Sequence, residues 1–125
     1  MSNEIRLSVP ARADFVHVLR SVAASVAAGL DFSFDDIEDL RLAVDEACAY
    51  LLTLQEDSRS LSLTIESEEG SIDVLAWVDG QPAKTKPTGL QATVVWHLLG
   101  ALTNEARFED TDGHPGIRFL KHVPA

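Results

Sequence analysis

Residues 4–9 alternate apolar Ile5, Leu7 and Val9 with polar Glu4, Arg6 and Ser8. That period of two predicts a half-buried strand. Pro10 ends it, because proline has no amide to give a ladder. The period then lengthens. Phe15, Leu19, Val22 and Val26 mark one face of a helix over residues 14–28, rich in alanine and stopped by Gly29. Residues 30–32 link it to the longest periodic stretch, 33–54, in which Ile37, Leu40, Val44, Ala47 and Leu51 form the packed stripe of a second helix. Ser33 suits its N-cap, and Asp35, Asp36 and Glu38 suit the positive end of its dipole. Asp39, Leu42, Glu46 and Tyr50 recur on a second stripe. Glu46 lies about 130° from the centre of the apolar one, at its edge.

After a polar loop at 55–59, Leu61, Leu63 and Ile65 alternate with Ser60, Ser62 and Thr64. Residues 66–70 read as an acidic turn. Ile72, Val74, Ala76 and Val78 follow as the return strand of a hairpin, with Leu75 and Trp77 on its other face. Residues 81–87 form an irregular loop. A third helix spans 89–102, with Val94, Val95, Leu98, Leu99 and Leu102 expected on its buried face. Strands at 105–109 and 117–123 flank turn residues, among them Asp112-Gly113 and Pro115-Gly116. The order is strand, helix, helix, two strands, helix, two strands. It predicts an α+β two-layer sandwich: a mostly antiparallel mixed sheet with three helices on one face. No repeat or linker divides residues 1–125, so a single domain is expected.

Composition narrows the function. With 46% apolar and 24% charged residues in 125, this is an ordinary globular balance. A formal charge of −10 argues against a phosphate-backbone binder and suits a partner with basic patches. No apolar run reaches membrane-spanning length, so neither direct nucleic acid binding nor membrane attachment is expected. The single cysteine, Cys48, cannot close an internal disulfide and falls beside the apolar stripe, which points to a packed, inert thiol in a reducing cytoplasm.

Candidate metal chemistry is thin. His17, His97, His114 and His122 show no ligand spacing, and Asp110, Asp112 and Gly113 lack the further ligands of a calcium loop. No metal site is expected. Trp77 and Trp96 read as core or interface aromatics.

The stretch 36–52, DIEDLRLAVDEACAYLL, resembles the N-box helix of the anti-sigma-factor serine kinases in the GHKL (Bergerat-fold) ATPase superfamily. The opening NEIRL strand, the helix running to Leu30-Asp31 and the closing GIRFLK strand resemble that family too, as does the order of elements. The resemblance implies a nucleotide site. Its N-box glutamate acts as general base toward a partner serine, and an asparagine one turn later ligates Mg²⁺. Glu46 matches the base, but Tyr50 stands in place of the asparagine, and a phenol offers no amide carbonyl. The adenine box, Asp-x-Gly-x-Gly, survives only as Asp79 and a displaced Gly80. The second glycine box keeps Thr88 and Gly89 and loses its second glycine. The lid between them, 80–88, is short.

The resemblance therefore implies a degenerate ATP site built from Glu46, Tyr50, Asp79, Gly80, Thr88 and Gly89, with no cofactor expected. The alternative is an active serine kinase using Mg-ATP, with Glu46 as its catalytic base. Arg20, on the first helix, matches a family arginine that contacts partner proteins, and its place beside Leu19 predicts an exposed side chain. The implied function is an anti-sigma factor, cytoplasmic and homodimeric. It would hold a sigma factor by direct contact until a STAS-type anti-anti-sigma protein displaces it.

Overall fold

A computed structural model of the chain describes residues 3–54, 57–79 and 89–123. Five strands form one sheet in the order β1-β2-β3-β5-β4: β1 (Asn3–Pro10), β2 (Ser60–Glu68), β3 (Ser71–Val78), β4 (Glu105–Phe108) and β5 (Gly116–His122). Each of the four pairings is antiparallel. Three helices complete the second layer: α1 (Val16–Ala28), preceded by a 3-10 turn at Ala13–Phe15, α2 (Phe34–Leu54) and α3 (Leu90–Leu102). The α+β sandwich expected from the hydrophobic periods is the fold observed.

The core lies where the period-two faces of the strands meet the helices. Leu61, Leu63, Ile65, Ile72, Val74, Ala76, Val78, Ile117 and Phe119 are buried from the sheet side. Leu40, Ala43, Val44, Ala47 and Leu51 are buried from α2, the spine of the helical layer. The alanines of α1 explain its close fit: Ala23, Ala24 and Ala27 are buried with Leu19, whereas Val22 and Val26 are only half covered. Ser33 does cap α2, accepting the Asp36 amide on Oγ at 3.1 Å. In the turn before it, Asp31 takes the left-handed conformation at φ 63°, while Gly29 keeps a negative φ.

Two expectations are corrected. The strand before the first hairpin runs on to Glu68, and the chain reverses tightly at Glu69-Gly70, with Gly70 at φ 81°. Ser67 faces inward with 6% exposure, which lets the alternation continue through the acidic residues. On α3 the buried residues are Ala92, Val95 and Leu99, while Val94 and Leu98 stay 48% and 36% exposed. The helix is apolar nearly all round, so the packing against α2 and β4, not the period, selects its inner stripe.

Candidate functional site

Of the residues that the resemblance assigned to a nucleotide site, the described ones are held by α2, the end of β3 and the start of α3. Glu46 is half-buried on α2 and makes no hydrogen bond or ion pair with another described residue. Tyr50, one turn on, is 5% exposed and joins the hydrophobic core, where burial lifts its phenol above the ordinary range. The side chain standing where the resemblance implies a magnesium ligand thus belongs to the core cluster with Leu51 and Ala47.

Asp79 follows the last residue of β3. Its Oδ1 accepts the backbone amides of Arg59 at 2.7 Å and Ser60 at 2.9 Å. Partial burial would raise this carboxyl, but those amides outweigh it and hold the group below the usual aspartate range. The carboxylate therefore clamps the start of β2 to the end of β3, helped by Ser58 Oγ donating to the Asp79 carbonyl at 2.7 Å. Gly89 begins α3 at φ 100°, a conformation that strains any residue with a Cβ. Gly80 and Thr88, and the lid stretch between them, lie outside the described residues. Of four surface cavities formed by described residues, none is lined by Glu46, Tyr50, Asp79 or Gly89.

Arg20 sits differently from expectation. Its side chain is 32% exposed, and its Nη1 donates to both oxygens of Asp45 on α2, at 2.9 and 3.2 Å. Its Nε is buried with no partner among the described residues. The packing of α1 against α2 brings Asp45 within reach and turns a solvated arginine into a bridge. Ala13, Asp14, Val16, His17, Ala49 and Leu52 complete a cavity of about 310 Å³ around this pair. Asp45 was not singled out by its sequence context, since the contact depends on how two helices pass each other.

Two further ionic groupings escaped the sequence. Lys121 points inward from β5, only 7% exposed, and donates to the Leu102 carbonyl at 2.8 Å with Asp36 and Asp39 at 3.6 and 3.8 Å. It joins the end of α3 to the first turns of α2. On the open face of the sheet, Arg118 forks onto Glu109 at 2.8 Å and reaches Asp73 at 3.0 Å. Hydrogen bonding from Arg118 pulls the Glu109 carboxyl down, and Glu109 in turn raises the guanidinium. Trp77 is half-buried on this face, and Trp96 packs partly against the core.

Cys48 is fully buried, and burial, reinforced by the Asp45 charge, pushes its thiol up to about 12. Among the described residues no three His, Cys, Asp or Glu side chains are grouped to hold a metal ion. No described helix is long and apolar enough to cross a membrane.

No family model matches the chain. Among curated proteins, a serine-protein kinase RsbW of Bacillus cereus is 30% identical over 79 residues, covering 62% of this chain and 49% of that protein. Proteins of the same name from Bacillus thuringiensis and Bacillus anthracis are 29% identical over the same shares. The chain spans about half the length of the curated relatives it matches. The resemblance read from the central helix is borne out by these matches, and by the α+β fold.

Proposed function

We propose that this chain is an anti-sigma factor that sequesters an alternative sigma factor in the cytoplasm by direct protein contact. It works as a homodimer with a degenerate ATP site and is released by a STAS-type anti-anti-sigma protein. The observation that carries the reading is Tyr50: at 5% exposure it fills core space one turn beyond Glu46, where Mg²⁺ needs a carbonyl ligand. Asp79 is consistent with it, since its Oδ1 accepts two backbone amides and clamps two strands together. The groove around Arg20 supplies the partner surface, with Asp45 fixing the direction of the guanidinium. The net charge of −10 favours capture of a basic domain.

The relatives' name, serine-protein kinase, favours a second reading, in which Glu46 deprotonates a partner serine in the presence of Mg-ATP. Calorimetry with Mg-ATP separates the two. The sequestering reading expects no heat up to millimolar nucleotide. Micromolar binding that is lost in Glu46→Ala overturns the degenerate site and favours the kinase reading. Co-purification from the native cytoplasm tests the partner: a sigma subunit travels with the wild-type chain and is depleted with Arg20→Gln. Recovery of no sigma subunit overturns the assignment.

A further inference from the structure

The face of the sheet away from the helices carries its polar side chains in cross-strand rows. The registers set Arg6, Thr64, Leu75 and Arg118 side by side in one row, and Glu4, Glu66 and Asp73 in the next. Both arginines are already committed. Arg6 Nε donates to Glu4 at 2.6 Å, and Arg118 is held between Glu109 at 2.8 Å and Asp73 at 3.0 Å. Glu66 is left between two carboxylates, Glu4 on one neighbouring strand and Asp73 on the other. It is exposed and its side chain bonds to no described residue. Like charges directly opposite each other weaken a sheet, so this carboxylate opposes folding rather than aiding it.

Glu66 lines a cavity of about 210 Å³ on this face. The floor is apolar, made by Leu75 at 7% exposure and by half-buried Trp77. Glu66 stands at one end, opposite Asp73. Four residues of β3 lead from that row to Trp77, about 14 Å at the rise of a strand. Beyond Trp77 and its partner Gly116, the turn between β4 and β5 brings Asp112 to the other end. Asp112 is exposed, takes the left-handed conformation at φ 50°, and its side chain bonds to no described residue. Beside it, Thr111 Oγ1 is buried without a partner among the described residues. Arg6 and Arg118 are matched by their own carboxylates, which leaves the negative charge of Glu66 and Asp112 in excess.

We propose that this cavity binds a linear aliphatic polyamine, its chain along Leu75 and Trp77, one ammonium at Glu66 and another at Asp112. Alkyl ammonium groups are charged at neutral pH, and methylenes gain by covering an apolar floor. The face of an indole also attracts a cation, so Trp77 favours the charged chain along its length. A ligand with a single charge satisfies one carboxylate and leaves the other unmatched. The site lies across the sheet from the helical layer that carries Arg20, so its occupancy is separate from partner capture at that groove.

The test is calorimetric titration of the full chain with spermidine, putrescine and butylamine at neutral pH and low salt. Spermidine is expected to bind tightest, at one site per chain, and butylamine weakest. Binding shifts the tryptophan emission, and Trp77→Phe removes that shift, since Trp96 sits on α3 behind the sheet. Glu66→Gln and Asp112→Asn each weaken spermidine about fivefold, the upper range of an exposed ion pair. Both substitutions keep the side-chain shape, and asparagine tolerates the left-handed turn. Unchanged or raised melting temperatures show that the variants fold. Asp57→Asn, in the loop before β2, removes the same charge at an exposed site and leaves binding as it was. Absence of spermidine binding at millimolar concentration, or an equal loss in Asp57→Asn, overturns the proposal. Butylamine binding as tightly as spermidine also overturns it and marks a site for one cation, such as a lysine of a partner protein.

Discussion

Arg20 of α1 and Asp45 of α2 form a two-pronged bridge, Nη1 lying 2.9 Å from one carboxylate oxygen and 3.2 Å from the other. The bridge fixes the guanidinium at the mouth of the α1–α2 cavity. Both side chains are about a third exposed, so solvent screens the pair and its worth to folding is small, below about 1 kcal/mol. Arg20→Gln should therefore leave the thermal midpoint within a few degrees of wild type. Sigma-factor affinity should fall by tenfold or more, the range of an arginine anchor. Asp45→Ala should keep the charge of Arg20 but release its direction, giving a smaller loss. Titration by calorimetry against the purified sigma factor measures both, and equal affinity of all three chains removes the groove from the interface.

Alkaline pH should destabilise the fold. Cys48 and Tyr50 both have acidities weakened by burial in the native state, so the unfolded chain loses these protons first. Their contribution is complete below the unfolded thiol value of about 8.5 and declines as pH rises toward the folded thiol at about 12. Urea midpoints measured from neutral pH upward should fall first through Cys48, and Cys48→Ala should flatten that early part of the curve. Tyr50 is the chain's sole tyrosine, so phenolate absorbance reports it directly. A native chain that ionises at the same pH as the unfolded one contradicts the packing described.

Asp79 acts at the other end of the scale. Its folded acidity is strengthened by the Ser60 and Arg59 amides. The stability it supplies is present above the unfolded aspartate value, about 3.9, and is lost as pH falls through the lower folded value. Asp79→Asn should therefore be less stable than wild type at neutral pH, and the difference should shrink in acid. Guanidinium denaturation at neutral pH and in acid measures the gap, and a constant gap rules out the clamp.

Lys121→Met should cost about 1–3 kcal/mol, because a methionine fills the space but leaves the Leu102 carbonyl without its buried donor. Adding Asp36→Asn and Asp39→Asn to Lys121→Met, a triple variant, should cost little further, since those carboxylates at 3.6 and 3.8 Å then have no cation to meet. Additive losses in the cycle would show that the three groups act separately.

The order of the elements was readable because most of them pack on one face only, and a one-sided element writes its period into the chain. The Ile37–Leu51 stripe of α2 is the clearest case, running from half-buried Ile37 to Val44 and Leu51 at 0% exposure. α3 was not readable in the same way: Leu90, Val94 and Leu98 compete with Ala92, Val95 and Leu99 on a nearly uniform apolar surface. Lys121 alternates in phase with Ile117 and Phe119, so its position signals burial while its charge signals exposure. Only the nearby carbonyl of Leu102 resolves that conflict. Of the candidate site, Glu46 at a helix edge and Tyr50 one turn away were visible from spacing. The partners of Arg20 and Asp79, 25 and 20 residues distant, were not, because such pairs are set by how whole elements cross.

The sheet order gives the chain a timetable for its making. β5 lies between β3 and β4, so β4 has no strand to pair with until residues 116–122 have formed. On a ribosome, the hairpin of β2 and β3 can assemble with β1 and the first two helices, but its β3 edge must wait open, with Ile72, Val74 and Ala76 lacking their cross-strand neighbours Lys121, Phe119 and Ile117. A chain cut short before Gly116 would carry that apolar edge permanently. Such nascent fragments are the natural clients of holding chaperones, and native levels of this protein should depend on them more than its modest size suggests.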